Sequence, residues 1–253
     1  MRARFRGAIF DVDGVLVDSP HERAWRDTLR ELMETSWSDI RSSTTYSPER
    51  FTAHVYQNVV AGKPRMSGAR AALDHFHVPD AGARVEDYAA RKQQMVLELI
   101  EAGEFTAFPD ALRFVLAVRD RGLRIAAASS SKNAGLMLGR IRLDHDLDPD
   151  LRLRDVFEVD ISGRDFARGK PDPEIFLTAG EELGLHPREC FVVEDAVAGV
   201  EAARAGGMAA LGVARGDDVE LLTDAGADLV VTTLDDVALD RLAEGRLAMR
   251  PGP

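Results

Sequence analysis

The sequence contains one cysteine and no long apolar run. Cys190 cannot form an internal disulfide, and the apolar run 191–193 behind it predicts a buried packing thiol rather than a nucleophile. No apolar stretch approaches the length of a membrane span, and residues 1–6 lead into the first predicted strand without the apolar core of a signal peptide. We therefore expect a cytoplasmic protein with no membrane partner.

Positive charge is also scarce. The chain has 32 Lys and Arg against 43 Asp and Glu, a net charge of −11, which argues against a nucleic-acid partner or an anionic membrane surface. An anionic ligand would then need cations placed locally. The 253 residues are 45% hydrophobic and 30% charged, which is ordinary for a soluble globular protein of one large or two modest domains. We find no internal repeats and expect a monomer.

Two aspartates follow an apolar run near the N-terminus. The strand-forming residues 8–10 end in Asp11, Val12, Asp13 and Gly14. Residues two apart share a face of a strand, so the two carboxylates would project side by side where the strand gives way to a loop. Such a pair repels itself unless a cation is near. A solvated turn is the alternative interpretation, because Asp and Gly are common turn residues.

The remaining chain predicts a helical segment followed by alternating strands and helices. Apolar residues recur at helical spacing within 19–101, where helices are predicted from residue 19 and at 49–61, 66–77 and 85–101. Further strands are predicted at 123–128, 156–161, 191–193, 209–213 and 229–231. Strands that alternate with helices imply a parallel sheet covered on both faces. The predicted class is α/β, with a core at 1–18 and 102–253, a helical insertion at 19–101, and an acidic loop at 144–150.

Polar residues cluster where several predicted strands or helices begin or end. In an open parallel sheet, reactive groups gather beyond the carboxyl ends of the strands. Singly, a serine cluster can cap the next helix and a lysine before proline can be surface charge. Together at one edge of one sheet, the clusters predict a functional site. They are Asp11 with Asp13, the segment 129–133, Lys170, and Glu194 with Asp195.

These residues resemble the haloacid dehalogenase (HAD) superfamily over nearly the whole chain. The signature DxDG(V)(L/I)xD matches residues 11–18, and Lys170 lies in a GKPDP motif. The segment 129–133, Ser-Ser-Ser-Lys-Asn, together with residues 21–25 is similar to the β-phosphoglucomutase-like subfamily. The resemblance implies a Rossmann-like, HAD-like core and makes the insertion at 19–101 a small, mobile helical cap domain.

The resemblance also implies the chemistry. Asp11 would attack phosphorus and form an aspartyl-phosphate, and Asp13 would act as general acid and base. Lys170 and Ser129 would stabilise charge on the transferring phosphoryl group. Mg²⁺ is the expected cofactor, because hard oxygen ligands and a phosphate suit it. Its implied ligands are Asp11, the backbone carbonyl of Asp13, Glu194 and Asp195.

The expected substrate is a small phosphorylated sugar. The alternative interpretation of Arg65 and Lys92 is that they are solvated charges of the cap, and the alternative for His21 is a place in an ordinary first helical turn. The expected reaction converts β-glucose 1-phosphate to glucose 6-phosphate through the bisphosphate. A sugar-phosphate phosphatase or a non-catalytic phosphosugar-binding protein is the alternative, and the sugar itself stays open. The substrate-binding residues implied by the resemblance are His21, Arg65, Lys92, Ser130, Ser131, Lys132 and Asn133.

Overall fold

The computed structural model describes residues 4–143 and 150–251, so most of the predicted acidic loop, residues 144–149, lies outside the described residues. The strands are β1 (Gly7–Phe10), β2 (Val17–Asp18), β3 (Thr106–Ala107), β4 (Arg124–Ala127), β5 (Val159–Asp160), β6 (Cys190–Glu194), β7 (Ala209–Val213) and β8 (Leu229–Val231). The α-helices are α1 (His21–Glu34), α2 (Ala53–Val55), α3 (Arg65–His75), α4 (Ala81–Glu101), α5 (Pro109–Asp120), α6 (Ala134–Arg140), α7 (Glu174–Glu182), α8 (Val197–Ala205), α9 (Val219–Asp224) and α10 (Leu239–Leu242). Short 3₁₀ turns occupy Arg41–Ser43, Pro48–Arg50, Leu153–Val156, Pro187–Glu189 and Leu234–Asp236, and a π-helical turn occupies Tyr56–Val60.

The parallel sheet has the strand order β5-β4-β1-β6-β7-β8, which confirms the predicted α/β class. β1 is central and pairs with β4 on one side and β6 on the other. Every residue of β1 and β6 is buried, as expected for parallel strands covered on both faces. The Asp11 N–H donates to the Val193 carbonyl at 3.0 Å, so Asp11 lies directly beyond the carboxyl end of β1.

The chain divides into two compact units, which we call the core unit (1–18 and 106–253) and the helical unit (19–105). The boundary predicted after residue 101 lies after residue 105. The reason is that the N–H groups of Gly103 and Glu104 donate to the Ile100 and Leu99 carbonyls and so extend the end of α4. The short antiparallel pair of β2 and β3, which was not predicted, joins Val17–Asp18 to Thr106–Ala107 within the core unit.

A hydrophobic cluster lies within each unit. In the helical unit the rings of Trp25 and Tyr88 meet edge to face with centroids 5.0 Å apart, and the Tyr88 hydroxyl donates to the Trp25 carbonyl at 2.7 Å. The single helix predicted at 49–61 is broken instead. The Thr52 side chain accepts the Val55 N–H at 3.2 Å and starts a new helix there. None of the helices in the described ranges is long and apolar enough to cross a membrane.

Candidate active site

The centre of the candidate site is a buried lysine between two buried carboxylates. Lys170 Nζ donates to Asp11 Oδ1 at 2.5 Å and to Glu194 Oε1 at 2.6 Å. The three residues are 3%, 5% and 1% exposed. Charges buried this deeply are tolerated only when they are paired and hydrogen-bonded. The lysine ammonium is therefore held directly beside Asp11.

The segment before α7 delivers Lys170 to this position. The Asp172 N–H donates to the Gly169 carbonyl at 3.0 Å, and the Asp172 side chain accepts the Glu174 N–H at 3.0 Å as α7 begins. The Lys170–Pro171 peptide bond is cis. Phe176, on the first turns of α7, lies under the ammonium with its ring centroid 4.7 Å from Nζ. The turn and the helix together aim a long side chain into the edge of the sheet.

Glu194 holds Lys170 in place. Its Oε2 accepts the backbone N–H groups of Asp195 and Ala196 at 2.9 Å each, while Oε1 accepts from Lys170. Gly199 on α8 makes room for this carboxylate, because a Cβ there would lie 1.8 Å from Glu194 Oε1. Both oxygens are thus engaged by hydrogen-bond donors. These contacts favour a role for Glu194 in fixing the lysine, and its predicted role as a metal ligand stays a prediction.

Negative charge exceeds positive charge in the site. Burial raises the pKa of Asp11 to about 7 against the opposing attraction of Lys170, and the charges of Glu194 and Asp13 add to the rise. Burial, followed by the charges of Glu194 and Asp11, raises the pKa of Asp195 well above its usual value. Burial would lower the pKa of Lys170, but the two neighbouring carboxylates outweigh it and raise that pKa. The site therefore favours an additional cation.

Ser129 orients Asp13. The Ser129 hydroxyl, just beyond the end of β4, donates to Asp13 Oδ2 at 3.0 Å and accepts the Ser131 N–H at 3.0 Å. The Ser129 N–H donates to the Ser162 hydroxyl at 3.3 Å, which anchors this residue to the segment after β5. The ends of β1 and β4 lie side by side as predicted, and Ser129 contacts Asp13.

A tight turn places Asp195 beside Asp13. Gly14 has a φ of +84°, a conformation that favours glycine, and its N–H donates to the Val17 carbonyl at 2.8 Å. A Cβ on Gly14 would come within 1.9 Å of Asp195 Oδ2. The Asp195 carboxylate therefore lies directly against the turn that carries Asp13.

The donor atoms of this site suit Mg²⁺. The carboxylates of Asp11 and Asp195 are hard oxygen donors, and the resemblance adds the Asp13 backbone carbonyl and Glu194. A divalent cation would relieve the excess negative charge. Within residues 4–143 and 150–251, no three His, Cys, Asp or Glu residues are already grouped as a metal site. Glu194 stays engaged with Lys170. The residues therefore fit Mg²⁺ by donor chemistry and by charge.

The predicted phosphate-binding segment 130–133 lies in the loop between β4 and α6. The Ser131 hydroxyl accepts the Asn133 N–H at 3.2 Å, and Asn133 is buried. Ser130 is half-buried in the same loop. Lys132 is half-exposed, and its Nζ donates to Asp165 Oδ1 at 2.5 Å. Lys132 thus forms an exposed ion pair with Asp165.

Two of the three candidate residues in the helical unit contact each other. Lys92 Nζ lies 2.7 Å from His21 Nδ1 and 4.6 Å from the centroid of the Trp25 ring, and both Lys92 and His21 are buried. Lys92 is therefore not a solvated surface charge. Arg65 is exposed at the first residue of α3 and takes no part in this pair.

A second polar cluster in the core unit was not predicted from the sequence. Arg215 donates to the Gly14 and Val15 carbonyls and to the buried carboxylate of Asp110. Arg215 lies two residues beyond the end of β7. Because functional groups gather beyond the carboxyl ends of parallel strands, this position could have been predicted from the sequence. Gly199 was also missed, although a glycine inside a predicted helix indicates close packing.

Replacing Gly199 with alanine is expected to weaken both activity and stability. The new Cβ must displace the Glu194 carboxylate, which then no longer fixes Lys170. Overpacking at a buried site costs about 1–3 kcal/mol of the free energy of unfolding. We expect activity to fall by up to about a hundredfold, the loss that a displacement of about 1 Å in a catalytic group can cause. Urea unfolding measures the change in stability, and turnover of a sugar phosphate, with the sugar product and inorganic phosphate followed separately, measures the change in activity.

Gly135→Ala is the matched control for this substitution. Gly135 is also a helical glycine of the core unit, but a Cβ there meets no heavy atom closer than Asp160 Oδ2 at 4.0 Å. Alanine should be neutral or stabilise α6 by about 0.5–1 kcal/mol. Equal behaviour of the two variants would contradict the role given to Gly199.

Comparison with known proteins identifies the family. The chain matches the haloacid dehalogenase-like hydrolases over residues 5–207. It is 29% identical over 241 residues to β-phosphoglucomutase of Bacillus subtilis (strain 168), covering 94% of each chain. It is 31% identical over 245 residues to hexitol phosphatase A of Escherichia coli (strain K12), covering 96% of this chain and 97% of that protein.

A solved structure agrees with these relatives. The crystal structure of the archaeal β-phosphoglucomutase from Pyrococcus sp. strain ST04 has a TM-score of 0.70 and 28% identity, over 95% of this chain and 99% of that one. The resemblance stated from the sequence motifs is thereby confirmed. The chain belongs to the haloacid dehalogenase-like hydrolase family, in its β-phosphoglucomutase-like subfamily, and is an enzyme of the phosphotransferase or phosphatase type.

Proposed function

We propose that this enzyme transfers a phosphoryl group through an aspartyl-phosphate on Asp11, and that it converts β-glucose 1-phosphate to glucose 6-phosphate. The observation that carries the proposal is the buried ammonium of Lys170 held between Asp11 and Glu194. A cation fixed against one aspartate suits a carboxylate that receives a phosphoryl group, since the ammonium is already placed to neutralise the phosphoryl oxygens.

In the first step an oxygen of Asp11 attacks phosphorus while the bond from phosphorus to the leaving sugar oxygen breaks. Asp13 donates a proton to that sugar oxygen, and Ser129 orients the Asp13 carboxyl for this task. In the second step a sugar hydroxyl attacks the aspartyl-phosphate, and Asp13 accepts its proton. Mg²⁺ held by Asp11, the Asp13 carbonyl and Asp195, with Glu194 as a further predicted ligand, would lessen the repulsion between the phosphate and the carboxylates.

The choice of a mutase over a phosphatase depends on the second phosphate of a sugar bisphosphate. Lys132 is a candidate partner for it, because exchanging the exposed Asp165 for a phosphate sacrifices an ion pair worth only about 0–1 kcal/mol. Relatives named β-phosphoglucomutase support the mutase, whereas the similarity to hexitol phosphatase A supports the alternative. The further residues proposed to bind the phosphosugar are Ser130, Ser131, Asn133, His21, Arg65 and Lys92.

One assay separates these functions. The purified protein receives Mg²⁺ and β-glucose 1-phosphate, with and without a trace of glucose 1,6-bisphosphate, while glucose 6-phosphate and inorganic phosphate are followed separately. The proposal predicts primer-dependent glucose 6-phosphate and little free phosphate. Steady phosphate release without a primer effect would instead establish a sugar-phosphate phosphatase. Binding without either product would exclude β-glucose 1-phosphate as the substrate and contradict the proposal.

A further inference from the structure

Arg215 donates hydrogen bonds to the turn that follows Asp11 and Asp13. Its Nε donates to the Gly14 carbonyl at 3.3 Å and its Nη2 to the Val15 carbonyl at 3.0 Å. Its Cζ lies 3.9 Å from the centroid of the Phe108 ring, and its side chain is only 18% exposed. A planar guanidinium carries several donors in a fixed fork, which suits two successive carbonyls on one side and a carboxylate on the other.

Asp110 holds the other side of this guanidinium. Its Oδ2 accepts from Arg215 Nη1 at 2.8 Å, from the Leu234 N–H at 2.8 Å and from the Thr233 hydroxyl at 3.2 Å. Burial would raise the pKa of Asp110, but these donors outweigh it and hold that pKa below its usual value. Asp110 lies on the first turn of α5, and Thr233 and Leu234 follow β8. The arginine is therefore anchored to two elements of the core unit.

Backbone hydrogen bonds from the Leu16 and Val17 N–H groups to the Val12 carbonyl close the turn after Asp13, and Arg215 adds side-chain contacts to this turn. Gly14 adopts a φ of +84° next to the residue that must transfer protons, and glycine is the most flexible of residues. The same turn lies against the Asp195 carboxylate. A shift of about 1 Å in a catalytic group can cost about a hundredfold in rate. Whatever fixes the Gly14 and Val15 carbonyls thus also fixes the position of Asp13.

We propose that Arg215 is a positioning residue, held by Asp110, that fixes the Asp13 turn for proton transfer. The inference rests on the proposed chemistry of Asp11 and Asp13, and it applies equally to a mutase and to a phosphatase. When the aspartyl-phosphate turns over, the bond between phosphorus and Asp11 breaks and a bond to the acceptor oxygen forms. The proton of the acceptor, a sugar hydroxyl or water, moves to Asp13. Arg215 touches none of these atoms and acts only through the turn.

With acetyl phosphate as the donor, formation of the phosphoenzyme can be measured separately from its decay, the step that depends on proton transfer. Acetate leaves without a proton, so this donor can phosphorylate Asp11 with no help from Asp13. Decay of the phosphoenzyme to water or to a sugar needs Asp13 as a base, a contribution of roughly 10²–10⁴-fold. In the Arg215→Met variant with Mg²⁺, we expect the rate of phosphoenzyme formation to stay within about threefold of wild type. The rate of phosphoenzyme decay should fall about 10- to 100-fold. Arg215→Lys should recover part of the decay rate.

Arg113→Met is the matched control. This arginine also pairs with an aspartate, Asp235, but its side chain is 61% exposed and lies on the solvent side of α5. It should leave both rates unchanged. Equal losses of formation and decay in Arg215→Met, or no loss of either, would overturn the positioning role. A wild-type protein that never becomes phosphorylated by acetyl phosphate or by a sugar phosphate would overturn the proposed function itself.

Discussion

Asp11→Asn is expected to abolish phosphoryl transfer while leaving the fold intact. An amide cannot form the aspartyl-phosphate, and removing a catalytic nucleophile costs on the order of 10⁴–10⁶-fold in rate. The substitution also removes one negative charge from a buried cluster in which Glu194 and Asp13 already raise the pKa of Asp11. The free energy of unfolding should therefore stay the same or increase.

Two measurements on the same preparation check this expectation. Turnover of β-glucose 1-phosphate reports the chemistry, and urea unfolding reports the stability. Asp240→Asn provides the control, because the Asp240 side chain is 75% exposed and outside the site, and it should behave as wild type. An Asp11→Asn protein with turnover within about tenfold of wild type would remove Asp11 from the role of nucleophile.

Lys170→Met is expected to reduce both stability and activity. Methionine approximates the length of the side chain but leaves Asp11 and Glu194 without the cation that both of them contact. Removing one partner of a buried ion pair typically costs about 3–5 kcal/mol. Loss of a preorganised donor to the developing charge costs about 10²–10³-fold in kcat. Urea unfolding and steady-state kinetics measure the two losses.

The double variant Lys170→Met with Glu194→Gln separates charge from packing. If unpaired charge causes the instability, neutralising Glu194 should restore part of the unfolding free energy and none of the activity, a coupling expected only of residues in contact. Arg113→Met again serves as the exposed control and should change the unfolding free energy by less than about 0.5 kcal/mol. A fully stable Lys170→Met protein would contradict the structural role given to Lys170.

The positions of the main site residues could be predicted from sequence for a simple reason. Asp11, Ser129 and Glu194 directly follow or end continuous apolar strands, and parallel strands bring their carboxyl ends to one edge. The bonds between the side chains could not be predicted in the same way. That Glu194 turns toward Lys170 depends on the space left by Gly199 on α8; a glycine in a predicted helix indicates close packing, but it does not say which side chain fills the space.

The features that the sequence did not predict depend on long-range or competing local interactions. Arg215 and Gly14 are 201 residues apart, and only the packed core unit brings them together. In the helical unit, the helical spacing at 49–61 predicts one helix, but Thr52 offers its side chain to a backbone N–H and begins a separate helix. The buried contact of Lys92 with His21 likewise joins two helices that local patterns cannot align.

Reductive trapping of the phosphorylated residue is the decisive measurement. The wild-type protein is mixed with Mg²⁺ and glucose 1,6-bisphosphate and quenched with borohydride, which reduces an aspartyl-phosphate to homoserine, and its peptides are sequenced by mass spectrometry. We predict homoserine at residue 11, at no other aspartate, and nowhere in the Asp11→Asn variant. Homoserine at another position, or an unmodified Asp11 in a protein that is turning over the sugar, would contradict phosphoryl transfer through Asp11.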